Sequence, residues 1–180
     1  MLLRDYLAIS ARYNSSANER LLAALVHLKP EFYYEPVLGC SRSIHGILNH
    51  VMAADLAWIG EMTGRRSNVS SPDDILYATL EQFMRERSRV DAKIISLIDR
   101  LSEDDLGSMI QYDDAAVGPM QWPFMLEIAH VFRHASHHRG QVTILMEAVG
   151  CEPPKIDDLF VPSDISFEIS VGNNAEFIPS

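Results

Sequence analysis

The sequence predicts an all-α protein: a four-helix bundle with long inter-helix connections and an irregular C-terminal tail. Three observations carry that reading. Four segments of about 20–28 residues repeat their apolar side chains at helical spacing, enough for four elements that share one core. Residues that start or stop helices bound each segment. The chain of 180 residues, 47% of them hydrophobic, is long enough for one sizeable core and has the composition of a globular domain.

The first helix is expected from about Leu2 to Leu28, with Leu3, Leu7, Tyr13, Ala17, Leu21 and Leu25 along one side. Lys29-Pro30 ends it, because the residue before a proline is pushed out of the helical region. The second starts at Ser41 or Ser43, either of which can cap it, and runs to Thr63 with Gly64 as its stop. Ser70-Ser71-Pro72-Asp73-Asp74 combines a cap, an early proline and early acids, and so predicts a third helix reaching about Leu101. Ser102-Glu103-Asp104-Asp105 suggests a further short turn, and Ser108 to Gln121, with Gly118-Pro119, fits a small hairpin or an irregular loop. The fourth helix begins at Trp122-Pro123 and ends at Val149 before Gly150. Pro153-Pro154 then forces an extended path. The bundle is expected to occupy residues 1–160, with 161–180 as a loosely held tail.

Charge and hydropathy narrow the partners. A net charge of -10 repels phosphate backbones, so no nucleic-acid partner is expected. No apolar run approaches the roughly 18–20 residues that cross a bilayer. Arg4 and Asp5 fall where a secretory signal needs its apolar stretch, and a cytoplasmic protein is expected. Cys40 and Cys151 are far apart in sequence and read as reduced, structural thiols.

Four of the seven histidines, His130, His134, His137 and His138, crowd the last helix. A helix turns about 100° per residue, which ranks them. With His134 at the origin, His138 sits at about 40° and the apolar residues Val131, Ala135 and Val142 at about 60–100°, while His130 and His137 turn outward. On the second helix His50 lies on the margin of the stripe formed by Ile47, Val51, Ala54 and Trp58, and His45 falls on the other side. His27, in the last turn of the first helix, suits the helix dipole without a metal. His50, His134 and His138 are therefore the candidate metal ligands. Three neutral nitrogens leave a coordination position open, the arrangement of catalytic sites. Glu61 and Glu127 share the margins of these histidines and are candidate bases or orienting groups, against a simpler reading as solvated side chains. Asp55 and Arg139 both fall at about 140° and predict a partly buried ion pair, the alternative being that each reaches separate backbone groups or solvent.

His134-Ala135-Ser136-His137-His138-Arg139-Gly140-Gln141, followed by Leu145 and Gly150, resembles the last-helix signature of the DinB family. These are the damage-inducible, YfiT-like metal-binding bundles, unrelated to the DNA polymerase of that name. Leu48 to Ile59 matches the family's second-helix motif; Ala11-Arg12-Tyr13-Asn14 with Ala17-Asn18 resembles its opening helix, and Pro153-Pro154 with Asp157 the segment after its last helix. The resemblance covers about residues 2–160. It implies one divalent ion, nickel or zinc, held by His50, His134 and His138. It also implies an enzyme using a low-molecular-weight thiol such as mycothiol or bacillithiol, an S-transferase or isomerase. A metal-dependent hydrolase and a non-catalytic metal- or ligand-binding stress protein are the alternatives. A homodimer is expected as well, because Leu48, Met52 and Ile59 add to the apolar surface of the second helix.

Overall fold

The computed structural model describes residues 2–37, 39–65, 67–114 and 118–157; the expected tail at 161–180 lies outside them. The fold is an all-α bundle of four long helices: α1 (Leu3–Leu25), α3 (Ile44–Met62), α4 (Leu80–Asp99) and α6 (Phe124–Ala148). Two short helices, α2 (Pro30–Tyr34) and α5 (Glu103–Leu106), and an antiparallel hairpin of β1 (Met109–Asp114) and β2 (Gly118–Pro123) fill the connections.

Most boundaries follow local chemistry. The Ser43 side chain caps α3 by accepting the Gly46 N–H at 3.1 Å. Both α3 and α6 stop at a glycine in the left-handed region, Gly64 (φ 65°) and Gly150 (φ 77°). Beyond each glycine the next amide reaches back into the last turn, Arg65 N–H to the Gly60 carbonyl and Cys151 N–H to that of Met146. Ser102 and Asp105 cap α5 reciprocally.

Two expectations change. Lys29-Pro30 does not end α1, which stops at Leu25; Pro30 instead opens α2, where its missing N–H costs nothing. The start signal at residues 70–74 does not open the third helix. The Asp74 carboxylate accepts the Ser70 and Ser71 amides, both at 2.9 Å, and closes a turn on itself. Tyr77 is then tied to α3, its N–H donating to Asn49 Oδ1 at 2.9 Å. Helix α4 begins only at Leu80, capped by Thr79.

Contacts fix the directions. Arg12 meets Asp99 and Asn18 meets Asp91, so α1 and α4 are antiparallel. His50 meets His138 and Trp58 meets His130, so α3 and α6 are antiparallel as well. The Arg4 N–H donates to Glu103 and the Phe124 N–H to the Ser108 carbonyl, which brings the starts of α1 and α6 to the same end. Neighbours α3 and α4 therefore run parallel, and the chain between them must travel back along the bundle. Residues 63–65 and 67–79 do so, and this return strap passes the histidines. The core between the helices contains Leu7, Leu21, Met52, Phe83, Ile98, Ile128 and Met146, all almost completely buried. Each such side chain contributes about 1.5–3 kcal/mol of hydrophobic stabilisation. Leu48 and Met52 are buried within the chain and Ile59 packs partly against its core, so their apolar surface serves the bundle itself.

Candidate metal centre

Helix α3 supplies His50, and α6 supplies His134 and His138 four residues apart on one face. One ring nitrogen from each lies within 4.8 Å of the others, a cluster that could hold a metal ion. The ring centroids are 5.2 Å (His50–His134), 4.8 Å (His50–His138) and 4.4 Å (His134–His138) apart. Neighbours orient two of the rings. His50 Nδ1–H donates to the Pro72 carbonyl at 2.8 Å, and His138 Nδ1–H donates to Gln141 Oε1 at 2.7 Å. That leaves both Nε2 lone pairs turned inward. The Nε2 atoms of His134 and His138 are 3.1 Å apart, while His134 Nδ1 is buried without a partner. Without a metal one of these two Nε2 atoms donates to the other; with both as acceptors the three nitrogens would be satisfied together by a cation, so the donor set fits a divalent ion.

The electrostatics agree. Burial, followed by the neighbouring imidazoles, lowers the pKa of His134 to about 4. Burial also lowers that of His138, against the Gln141 hydrogen bond, with Arg42 among the smaller causes. At neutral pH these two rings are uncharged and their lone pairs are free for a metal.

The remaining histidines divide as expected, with one exception. His130 and His137 are exposed, and His27 lies on the surface just past the end of α1. His45 is not turned away from the protein. It is buried, with Nε2 2.8 Å from the Tyr77 carbonyl and its ring against Tyr33 and Tyr34. A helical wheel of α3 cannot show α2 and the return strap, which cover that flank. Glu127 and Glu61 lie beyond Trp58 and His130. Glu127 precedes His134 by seven residues, about 10 Å along the helix, so neither carboxylate belongs to the triad. Glu127 is buried, and burial, then repulsion from Glu61, raises its pKa.

Behind the triad lies a second polar cluster, and there the Asp55–Arg139 pair does not form. Asp55 is completely buried and accepts from Arg87 Nη1 at 2.6 Å. Arg87 also pairs with Asp91 at 2.8 Å, and Asp91 accepts from Asn18 at 3.1 Å. Arg139 Nη1 donates to Asn14 Oδ1 at 2.6 Å and to Asn18 Oδ1 at 2.9 Å. Burial pushes the Asp55 carboxyl up and Arg87 pulls it back down. Comparing only α3 with α6 hid the partner on α4. The signal was there: Phe83, Arg87, Val90, Asp91, Ile94 and Ile98 form one stripe at helical spacing, with two charges inside it.

A pocket of about 400 Å³ opens beside His138, bounded by Cys40, Arg42, Gln141 and Ile144 among others. Cys40 is a free, exposed thiol at its rim rather than a buried structural one; Cys151 is free and half-buried.

Comparisons with known proteins agree with this architecture. The DinB family model matches residues 5–164. Protein DinB of Bacillus subtilis (strain 168) is 26% identical over 147 residues, which span 77% of this chain and 83% of that protein. The crystal structure of a DinB-like protein from Bacillus cereus ATCC 10987 superposes with a TM-score of 0.65 at 15% identity, covering 81% of this chain and 91% of the other. At that identity the likeness concerns the fold alone.

Proposed function

The chain belongs to the DinB family, and we propose that it is a metal-dependent enzyme in which His50, His134 and His138 hold one nickel or zinc ion and a low-molecular-weight thiol is the co-substrate. The observation that carries this reading is the convergence of three histidine nitrogens, with no carboxylate or thiol among the described residues joining them, next to a pocket that reaches His138. A divalent ion on three neutral nitrogens supplies Lewis acidity, enough to keep a thiol ionised at neutral pH, for S-transfer or isomerisation. The chain's own contribution is positioning. Gln141 and the Pro72 carbonyl hold the Nδ1 hydrogens of His138 and His50, so the opposite nitrogens stay available. Trp58 lies edge-on to His134, 4.9 Å between centroids, and shields that ring from water on one side.

Metal analysis of the purified protein tests the site. Alanine at His50, His134 or His138 is expected to remove most of the bound metal, and His137→Ala, at an exposed position, to leave it in place. Gln141→Leu is expected to weaken metal affinity about 10–100-fold, the usual cost of losing such an orienting partner. Unchanged metal content in all three alanine variants would falsify the site. Metal-loaded protein is then incubated with a panel of thiols and electrophiles, and loss of free thiol is followed. Metal-dependent turnover without thiol consumption points to hydrolysis instead.

A further inference from the structure

We infer that Arg42 anchors the carboxylate of a small amphipathic ligand in the pocket beside His138, at the position that the Asp73 side chain takes in this structure. This deepens the function proposed above, because the pocket is the one that borders His138 of the histidine triad.

The pocket has two kinds of wall. Ile47, Ile144 and Leu145 line its apolar side, and Ile144 keeps 61% of its surface exposed, which a ligand's apolar body would cover. Arg42, Gln141 and Ser41 supply the polar side. Its volume, about 400 Å³, lies within the range of small-molecule sites.

The Arg42 stem lies over the first turn of α3, where a side chain on Gly46 would meet its Cβ at 3.6 Å. In a chain with a net charge of -10, a cation in the wall of this pocket is a local reversal of sign. Its present partner identifies the ligand chemistry. Arg42 Nη2 donates to an Asp73 carboxylate oxygen, so a carboxylate already meets this guanidinium through one nitrogen. Asp73 comes from the return strap, next to Pro72, whose carbonyl orients His50. The pair is well exposed on both sides, and such pairs contribute little stability, so a competing carboxylate displaces Asp73 readily.

Octanoate is a suitable probe, with 1-octanol as the uncharged control, titrated into the full-length protein by calorimetry. Octanoate is expected to bind saturably and at least ten-fold more tightly than octanol. Arg42→Gln should weaken octanoate at least ten-fold without changing the melting temperature or the weak binding of octanol. Asp73→Asn removes the internal competitor and should tighten octanoate several-fold. A purely structural clasp predicts the reverse sign for that variant. Weaker octanoate binding by Asp73→Asn, parent-like binding by Arg42→Gln, or no saturable binding up to millimolar octanoate each overturns the inference. Repeating the titration after chelation separates it from the metal proposal. Binding carried by Arg42 survives metal removal, whereas binding lost on chelation and kept in Arg42→Gln places the carboxylate on the metal and overturns the inference. If the protein proves to carry no metal, the arginine and aspartate results stand on their own.

Discussion

Two polar clusters share α3 and α6, and their chemistry is opposite. His138 and Arg139 are consecutive residues, yet one faces two other imidazoles and the other faces amide oxygens. In the inner cluster the charges alternate: Asp55 and Asp91 flank Arg87, and Asn14 and Asn18 accept from Arg139. Two acids and two guanidiniums cancel within the chain. In the outer cluster three imidazoles converge, with a hydrogen bond between His134 and His138, and no carboxylate or thiol among the described residues joins them. Buried polar groups ordinarily find partners within the protein. The inner cluster ties the four long helices together through paired opposite charges, although Asn14 Nδ2, Asp55 Oδ1 and Arg87 Nε find no hydrogen-bond partner; the outer cluster gathers like groups that a cation would complement.

The largest expected effect follows from the inner cluster. Arg87→Met would leave Asp55 and Asp91 buried without their common cation, at a cost of about 3–5 kcal/mol. For a chain of this size that lowers the melting temperature by roughly 2–4 °C per kcal/mol, read equally well as a shift in the urea midpoint. The counterpart in the outer cluster is His134→Leu, measured without metal. His134 Nδ1 is buried without a partner, so the metal-free protein should lose under about 1 kcal/mol or gain slightly. Similar losses in the two variants would erase the distinction between the clusters.

How much of this was legible in the sequence depended on whether an interaction stays within one helix or its nearest partner. The triad was legible because His134 and His138 are four residues apart and His50 sits beside an apolar stripe, facts that one wheel per helix contains. The all-α bundle was legible because apolar spacing and the glycine stops at Gly64 and Gly150 act locally. The partner of Asp55 was not, since it required knowing that α4 runs parallel to α3 and presents Arg87 at that depth. Nor was the burial of His45, which depends on the return strap bringing Tyr77 over α3. The strap was itself misread as helix: Asp74 satisfies the Ser70 and Ser71 amides as a helix cap would, but the chain then follows Asn49.

The second effect separates the clusters by pH. His134 titrates near 6.5 when unfolded and at about 4 in the folded, metal-free protein, chiefly because of burial. Between those values the unfolded chain holds the extra proton, so the stabilisation present above about pH 6.5 is lost as pH falls towards 4. His138, also lowered, acts with the same sign. Thermal melts of metal-free protein should drop over that window. The ring is only half-buried, so solvent screening keeps the loss below the full linkage value. His134→Leu should flatten the profile, and a parent-like slope in that variant would assign the acid sensitivity to other groups.

The smallest effect concerns a pair that belongs to neither cluster. Glu127 is buried in the first turn of α6, near Glu61 at the end of α3, and two like charges there neither cancel nor call for a metal at the triad. Burial raises both carboxyls, and Glu61 adds repulsion at Glu127. A carboxyl raised in the folded state is disfavoured as an anion, so its cost is present at neutral pH and disappears as the pH falls below the ordinary glutamate range. Glu127→Gln keeps the shape and removes the charge, and it should raise the melting temperature slightly at pH 7 and leave it unchanged at pH 4. The opposing influence is the α6 N-terminus, whose free amides favour a negative charge by about 0.3–1 kcal/mol. The net gain is therefore small, and its sign decides which influence is larger. A lower melting temperature for Glu127→Gln at pH 7 means that the helix terminus outweighs burial and Glu61. Glu127 would then be an ordinary first-turn acid that stabilises α6, and with it the helix that presents His134 and His138.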